Sequence, residues 1–382
     1  MSAVFGSLSP SQFLARHWQR SPAVFAGALP GFRSPITPDE LAGLACEEEV
    51  ESRLVEGHVG GRFLLEHGPF DEARFERLPR KNWTLLVQDV DKHVPDVAAL
   101  LEPFAFLPDW RVDDIMVSFA APGGSVGPHT DEYDVFLLQV QGRRRWQLSE
   151  RFEPALRTDC DLKVLERFEP ERELIAEPGD ILYLPPNVAH FGVALDEAMT
   201  FSIGFRAPDQ RELVGALLRE LVERPRPSRR FGDPGRAGVA RRAEIAAEDL
   251  ATLRELVRGG LALSDAELDQ FLGRYITRNK PNLELVGAAT LARDVERRLK
   301  RGDSLVRRPG SRWAEVSRGD ELWVFAEGHE QLLDQRQRPW LEPLLAGEAA
   351  GANGFGDDPR IAGWLAAWLE HGALEWQSDD DD

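Results

Sequence analysis

The sequence of 382 residues has few cysteines and no long hydrophobic run. Its two cysteines, Cys46 and Cys160, form no CxxC pair, which argues against a disulfide scaffold and against a thiolate zinc site. No apolar stretch approaches the ~18 residues that a membrane-spanning helix needs. The N-terminus also lacks the basic start and continuous apolar segment of a signal peptide. These absences predict a cytoplasmic protein in a reducing compartment.

Positive charge is also scarce, because 46 Lys+Arg oppose 65 Asp+Glu and the formal net charge is −19. Such a surface disfavours a protein built mainly to bind a nucleic-acid backbone, which requires a basic face. The deficit is uneven: residues 206–301 hold 20 basic and 15 acidic side chains, which leaves −24 for the remainder. A hydrophobic content of 42% is typical of a globular protein, and the length predicts two or three domains.

The hydrophobic pattern changes along the chain. Short apolar runs between about residues 51 and 206, separated by Gly, Pro and Asp turns, are typical of an antiparallel barrel or sandwich. After Pro208, leucines recur at helical spacing as far as about residue 275. The last hundred residues mix helical and strand-like segments in an order typical of a winged helix. The chain is thereby divided into three predicted parts: a β-rich catalytic domain (1–207), a helical region (208–282) and a winged-helix-like domain with an acidic tail (283–382).

Residues 127–131 read GPHTD and place His129 and Asp131 two positions apart. On a strand, such residues point to the same face, so both side chains are expected to project into the barrel. His190 follows about sixty residues later, after a turn, an apolar strand and a second turn. Two histidines and one carboxylate in this arrangement form the facial triad of non-haem Fe(II) oxygenases, with positions open for an oxo-acid and dioxygen. The same donors also suit zinc or manganese, and an HxD pair alone is a weak signal.

A basic side chain follows the HxD motif at Arg144. If a strand resumes after Gly142, then Arg144, Trp146 and Leu148 share one face that is otherwise apolar. A guanidinium on an inward face needs a fixed anion, and its planar fork suits a carboxylate. The distal carboxylate of 2-oxoglutarate is such an anion. The alternative is that residues 143–145 are solvated surface charges.

Two hydroxyl groups are candidates to assist that carboxylate. Ser118 lies in a strand-like segment on the face opposite Ile115 and Val117, and Ser202 is likewise opposite bulky neighbours. Small polar residues on a strand face are expected where that face lines a cavity. Simple packing explains the two serines equally well.

In combination these motifs resemble those of the JmjC/cupin-type ribosomal oxygenases, especially the bacterial branch that hydroxylates an arginine of a large-subunit ribosomal protein. The resemblance is carried by GPHTDEYDVF from Gly127, GRRRW from Gly142 and PGDILYLPP from Pro178, followed by His190. The resemblance is close over residues 9–207, whereas the later regions match the family only in their overall layout. It implies a mainly β catalytic part, a double-stranded β-helix (cupin, jelly-roll-like barrel), followed by an α-helical region and a small winged-helix-like α+β domain.

The resemblance also implies the chemistry. Fe(II), 2-oxoglutarate and O2 are the implied cofactor and cosubstrates. Related eukaryotic enzymes keep Lys at the basic position and hydroxylate histidines, so Arg144 points to the arginine-directed branch. A homodimer formed through the helical region is implied, with a basic ribosomal protein as substrate and no membrane or direct nucleic-acid binding. The implied roles fall on six residues: His129, Asp131 and His190 as iron ligands and catalytic centre, and Arg144, Ser118 and Ser202 as the 2-oxoglutarate site.

Three functions stay open on the sequence. The first is a ribosomal-protein arginyl hydroxylase; the second is a histidyl hydroxylase of another ribosomal protein, or a hydroxylase of another basic protein. The third is a non-catalytic cupin-like, ribosome-associated binding factor, which the intact triad and Arg144 disfavour. A histone demethylase is disfavoured because two cysteines cannot build a chromatin-reading zinc module. Beside the ligands, Asp134 is a candidate partner for a substrate guanidinium.

Overall fold

A computed structural model describes residues 4–58, 60–224, 229–236, 238, 243, 245–280, 287–351 and 359–377. The predicted acidic tail at residues 379–382 lies outside these ranges, as does part of the segment 225–238, which is rich in Pro, Gly and Arg. The described residues contain no helix with the length and apolar character needed to cross a membrane.

The N-terminal part of the chain is built mainly from antiparallel strands. Its helices and strands follow in chain order: α1 (Pro10–Arg16), β1 (Ala23–Phe25), α2 (Pro38–Leu44), β2 (Ser52–Glu56), β3 (Leu64–His67), α3 (Glu72–Glu76), β4 (Trp83–Val87), α4 (Pro95–Ala98), β5 (Val112–Ala120), β6 (Asp134–Gln141), β7 (Arg144–Ser149), β8 (Arg172–Ala176), β9 (Ile181–Leu184), β10 (Ala189–Ala194) and β11 (Ala198–Phe205). Short 3-10 turns occupy Val90–Lys92, Ala99–Phe104 and Asp109–Arg111.

These strands form two sheets that pack face to face. The larger sheet has the order β1-β9-β6-β11-β5-β4-β2-β3, and the smaller has the order β10-β7-β8. Between them, Leu137 and Leu182 of the larger sheet pack in one buried cluster with Trp146 and Leu148 of the smaller sheet. This arrangement confirms the predicted barrel-like catalytic fold.

The outer face of the larger sheet is covered by the N-terminal segment. Phe13 of α1 packs on Phe136 and Tyr183, with ring centroids 5.5 Å and 5.0 Å apart. Ser9 begins α1 with a capping box, which satisfies backbone donors that the first turn leaves open. Burying each such aromatic ring contributes roughly 1.5–3 kcal/mol, so this core fixes which face of the sheet is left for the barrel interior.

The C-terminal part combines helices with a small antiparallel sheet. Its elements follow in chain order: α5 (Gln210–Glu223), α6 (Ala247–Gly260), α7 (Asp265–Thr277), α8 (Ala292–Arg301), β12 (Leu305–Arg307), β13 (Trp313–Arg318), β14 (Glu321–Ala326), β15 (His329–Asp334), α9 (Arg338–Leu345), α10 (Pro359–Glu370) and β16 (Leu374–Trp376). Strands β13, β14 and β15 form the wing, and β12 pairs with β16. Helix α7 packs on the wing, where Gly273 leaves room for the ring of Phe325. The predicted helical region followed by a winged helix is confirmed.

Candidate metal and cosubstrate site

The side chains of His129, Asp131 and His190 come together beside the barrel interior. Their candidate ligand atoms all lie within 4.8 Å of one another. Asp131 Oδ1 is 3.9 Å from His129 Nε2, and Asp131 Oδ2 is 3.5 Å from His190 Nε2. Within the described part of the chain, no other three His, Cys, Asp or Glu side chains gather in this way.

The local backbone differs from the strand predicted for the HxD motif. His129 and Asp131 lie in an extended segment before β6, and only a single bridge joins His129 to His190. Two backbone bonds make that bridge, from His129 N to His190 O at 3.0 Å and from His190 N to His129 O at 2.9 Å. Pro128 has no donor and Gly127 has a φ of +81°, so a regular ladder does not continue through this segment.

Backbone carbonyls orient both imidazole rings. His129 Nδ1 lies 3.0 Å from Gly127 O, and His190 Nδ1 lies 3.0 Å from Val188 O. Protonation of Nδ1 satisfies these contacts and leaves each Nε2 free toward Asp131. Burial lowers the pKa of His190 to about 4, so its ring is neutral at pH 7. Neutral imidazole and ionised carboxylate are the forms that bind a divalent ion, so the donor set fits Fe(II) with open coordination positions.

A buried cation lies on β7, the strand that pairs with β10, and two of its donors have no acceptor among the described residues. Arg144, Trp146 and Leu148 point into the barrel from β7, and Arg144 is 5% exposed. Among the described residues, no hydrogen-bond acceptor reaches its Nε or Nη2. Burial lowers the pKa of Arg144 to about 10, which still leaves the guanidinium charged at pH 7. Because an unsatisfied buried charge is costly, these two donors fit the distal carboxylate of 2-oxoglutarate.

The turn before Arg144 carries the chain from one sheet to the other. Strands β6 and β7 belong to different sheets, and Gly142, between them, has a φ of +61°. A Cβ at Gly142 would lie 2.1 Å from Glu197 O and 2.5 Å from Asp196 Oδ1, so a side chain does not fit there. After this crossing, Arg144 lies on the face of the smaller sheet that packs against the larger sheet, and this face is the inside of the barrel.

Other polar groups line the inner face of the larger sheet. Ser118 is buried and its hydroxyl donates to Thr200 O at 3.4 Å, whereas Ser202 is half-buried on the same face. Sequence reasoning missed three further residues on this face: Thr84, Gln139 and Thr200. Thr200 Oγ1 donates to Gln139 Oε1 at 2.9 Å. The sequence carries a signal for two of them, because Gln139 interrupts the apolar run 135–140 and Thr200 precedes Ser202 by two residues.

Asp134 does not face the ligands, which corrects the idea that it meets a substrate guanidinium. Its carboxylate is fully buried on the outer side of the sheet, where it accepts from Tyr183 Oη at 2.6 Å, Gln19 Nε2 at 2.9 Å and Arg111 Nη2 at 3.0 Å. The strand alternation that turns Val135 inward turns Asp134 outward.

Comparison with known proteins gives two family matches: a JmjC domain at residues 99–213 and a ROXA-like winged helix at residues 252–375. The chain is 39% identical over 374 residues to the ribosomal protein uL16 3-hydroxylase of Escherichia coli, covering 96% of this chain and 97% of that protein. It is 36% identical over 276 residues to a probable ribosomal oxygenase of Haemophilus influenzae, covering 68% and 66%.

A similar solved structure is that of YcfD, a ribosomal oxygenase from Escherichia coli, in complex with cobalt and 2-oxoglutarate. It superposes with a TM-score of 0.81 at 38% sequence identity, covering 97% of this chain and 99% of that one. The structure of YcfD with cobalt and succinic acid gives a TM-score of 0.80 over the same coverage.

Proposed function

The chain belongs to the JmjC-domain ribosomal oxygenases, and from this premise we propose that it hydroxylates an arginine side chain of the large-subunit ribosomal protein uL16, using Fe(II), 2-oxoglutarate and O2. The observation that carries the proposal is the order of charged groups along the barrel interior. The unpartnered guanidinium of Arg144 lies at one end, the His129–Asp131–His190 triad follows, and the carboxylate of Asp114 lies at the other end.

Strand registers establish that order. Arg144 is opposite Ala194, and Ala194 packs with Ala120 and Ala198 at one end of strands β5 and β11. His190 is four residues from Ala194 along β10, toward the other end. Asp114 lies near the start of β5, six residues from Ala120 and on the same face.

Each group has a separate task in the proposed reaction. When bound, Fe(II) with 2-oxoglutarate supplies the chemistry that transfers an oxygen atom from O2 to a carbon of the substrate. His129, Asp131 and His190 would hold the ion. Arg144 would hold the distal carboxylate of 2-oxoglutarate, with Ser118 and Ser202 as hydroxyl neighbours. Trp146 packs beside both groups, 5.9 Å from the His190 ring and 5.7 Å from the Arg144 guanidinium.

Arginine rather than histidine is favoured by the carboxylate end of the interior. A guanidinium is fully charged at neutral pH and pairs with a carboxylate through two parallel hydrogen bonds. A neutral histidine would need no cluster of acidic groups at this end.

The proposal includes a homodimer formed through the helical region. Helix α5 exposes Val214, Leu218 and Val222 at four-residue spacing. Helix α6 and the residue after it expose a second apolar stripe: Leu250, Leu253, Val257 and Leu261. Apolar rows of this kind are typical of protein interfaces, and a second copy of the chain would cover them. A ribosomal-protein substrate also favours a cytoplasmic location.

The test is mass spectrometry of uL16 incubated with the purified protein, Fe(II) and 2-oxoglutarate. We expect a mass increase of one oxygen atom, located on an arginine, together with succinate formation. The His129→Ala variant should keep its fold and lose this activity, whereas His67→Ala on the exposed strand β3 should behave like wild type. Oxygen on a histidine would support the alternative reaction, and no modification by the wild-type protein would refute the proposal.

A further inference from the structure

The C-terminal part of the chain reaches into the catalytic domain at the start of β5. Lys280 follows α7, and its Nζ lies 3.2 Å from Asp114 Oδ2 and 3.3 Å from Asp89 Oδ2. Arg312, just before β13, donates to Asp113 O at 2.9 Å and to Asp113 Oδ1 at 3.0 Å. Both acidic residues at this end of β5 are therefore held by cations from the region that matches the winged helix.

This cluster is buried, so its charges interact strongly. Asp89 and Asp114 are 2% and 7% exposed. Burial raises the pKa of Asp114 to about 7, neighbouring carboxylates add to the rise, and the charge of Lys280 opposes it. Burial acts to lower the pKa of Lys280, but the surrounding carboxylates raise it above its ordinary value. Lys280 therefore favours an ionised Asp114 at neutral pH.

The two oxygens of Asp114 have different surroundings. Within the described residues, its hydrogen bonds from Lys280 Nζ and from Asp89 N, at 3.2 Å each, both reach Oδ2. Oδ1 faces the inner side of β11 at Gly204. A Cβ built on Gly204 would lie 3.4 Å from Oδ1, at van der Waals contact, so the glycine leaves the space beside that oxygen unfilled.

We propose that Lys280 is a positioning residue for the substrate: by holding Oδ2 of Asp114, it presents Oδ1 to the guanidinium of the arginine that is hydroxylated. The inference rests on the proposed arginine substrate. It gives the C-terminal region a direct part in the reaction, because a residue outside the catalytic barrel completes the end where the substrate binds. A monodentate hold on Oδ2 leaves the other oxygen available for a charge-assisted hydrogen bond.

The test compares steady-state kinetics on uL16 for the full-length wild type, Lys280→Met and Lys280→Arg. We expect Lys280→Met to raise the KM for uL16 by ~10-fold or more, because a charge-assisted contact is weakened. The kcat and the KM for 2-oxoglutarate should stay near their wild-type values, and Lys280→Arg should restore most of the loss. Lys300→Met is the matched control, since Lys300 is exposed and pairs with Glu296 on the surface of α8.

The outcomes separate this inference from the function on which it rests. A wild-type protein that hydroxylates a uL16 arginine, with an unchanged KM in Lys280→Met, overturns the positioning role alone. A wild-type protein without that activity overturns both. If Lys280→Met does not fold, Gly204→Ala decides, because its added methyl group covers Oδ1 without altering an ion pair. We expect Gly204→Ala to raise the KM for uL16, and an unchanged KM would overturn the inference.

Discussion

Side chains in the barrel interior carry polar atoms that the rest of the described protein leaves without a hydrogen bond. Two donors of Arg144 have no acceptor. Asp114 is paired with Lys280 through Oδ2, and its Oδ1 accepts no hydrogen bond from the described residues. A buried polar or charged group without a partner destabilises the ligand-free protein, and a ligand that bonds to it removes this cost. Such groups therefore indicate ligand chemistry more directly than the surrounding apolar residues do.

At this scale we expect Arg144→Met to raise the KM for 2-oxoglutarate by ~10- to 100-fold, because hydrogen bonds to a charged group are lost. The same change should raise the melting temperature of the ligand-free protein, since it removes a buried charge without a partner. Steady-state kinetics and a thermal melt measure the two effects. Arg143→Met is the control, because Arg143 is exposed and pairs with Asp196. Wild-type 2-oxoglutarate kinetics in Arg144→Met would contradict the assignment.

At the scale of elements, the site depends on how tightly two neighbouring strands pack. Gly192 of β10 is opposite Trp146 of β7, and a Cβ on Gly192 would lie 2.6 to 2.9 Å from the indole ring. Since that ring neighbours both His190 and Arg144, its position links the metal ligand to the cosubstrate site. The absence of one side chain therefore determines the geometry of both.

Gly192→Ala should destabilise the protein by about 1–3 kcal/mol, because an overpacked core must shift. It should also weaken 2-oxoglutarate binding through displacement of Trp146. Chemical denaturation and the charge-transfer absorption of the anaerobic Fe(II)–2-oxoglutarate complex measure the two effects. Gly43→Ala in α2 is the matched control, since nothing lies within 4 Å of its added Cβ. An equal loss of stability and of 2-oxoglutarate binding in both variants would argue against a specific role for Gly192.

The exposed apolar stripes of α5 and α6 give a second prediction at this scale. Val257→Glu should shift the protein from dimer to monomer, because it places a charge in the centre of the proposed interface. Sedimentation equilibrium measures the change. Glu255→Gln, on the other face of α6, should leave the association unchanged. A wild-type protein that sediments as a monomer would refute the dimer.

At the scale of the whole molecule, charge is distributed according to the proposed partner. The chain carries −19 overall, and −24 lies outside residues 206–301. An acidic surface attracts a basic ribosomal protein over long distances and repels free RNA. The positive excess belongs to the region that holds the exposed stripes of α5 and α6.

The KM for uL16 should therefore increase between about 0.05 and 0.3 M salt, because mobile ions screen long-range attraction. Turnover of 2-oxoglutarate in the absence of uL16 serves as the control for general salt effects on the enzyme. A KM for uL16 that is independent of salt would show that the net charge plays no part in recognition.

The sequence by itself was sufficient to predict the class of fold and to nominate the principal site residues. Strands β4 and β9 coincide with two of the predicted short apolar runs, because each run lies between strong turn signals. Which side chains can bind a metal ion depends only on their chemistry, so the sequence predicts His129, Asp131 and His190 as metal ligands without knowledge of the fold. The sequence predicts a functional role for Arg144 because strand alternation places this one charged side chain on an otherwise apolar face.

Only the tertiary structure decided which polar groups share the interior. Asp134 and Asp114 are both acidic residues at strand starts, yet the registers turn Asp134 into the outer core and Asp114 toward the site. Lys280 meets Asp114 across 166 positions of the chain. No local pattern predicts such a contact, because it depends on how the sheet and the winged helix pack against each other. The alternation of side chains along a strand shows which residues share a face. The pairing of strands into sheets decides which of the two faces is buried inside the barrel.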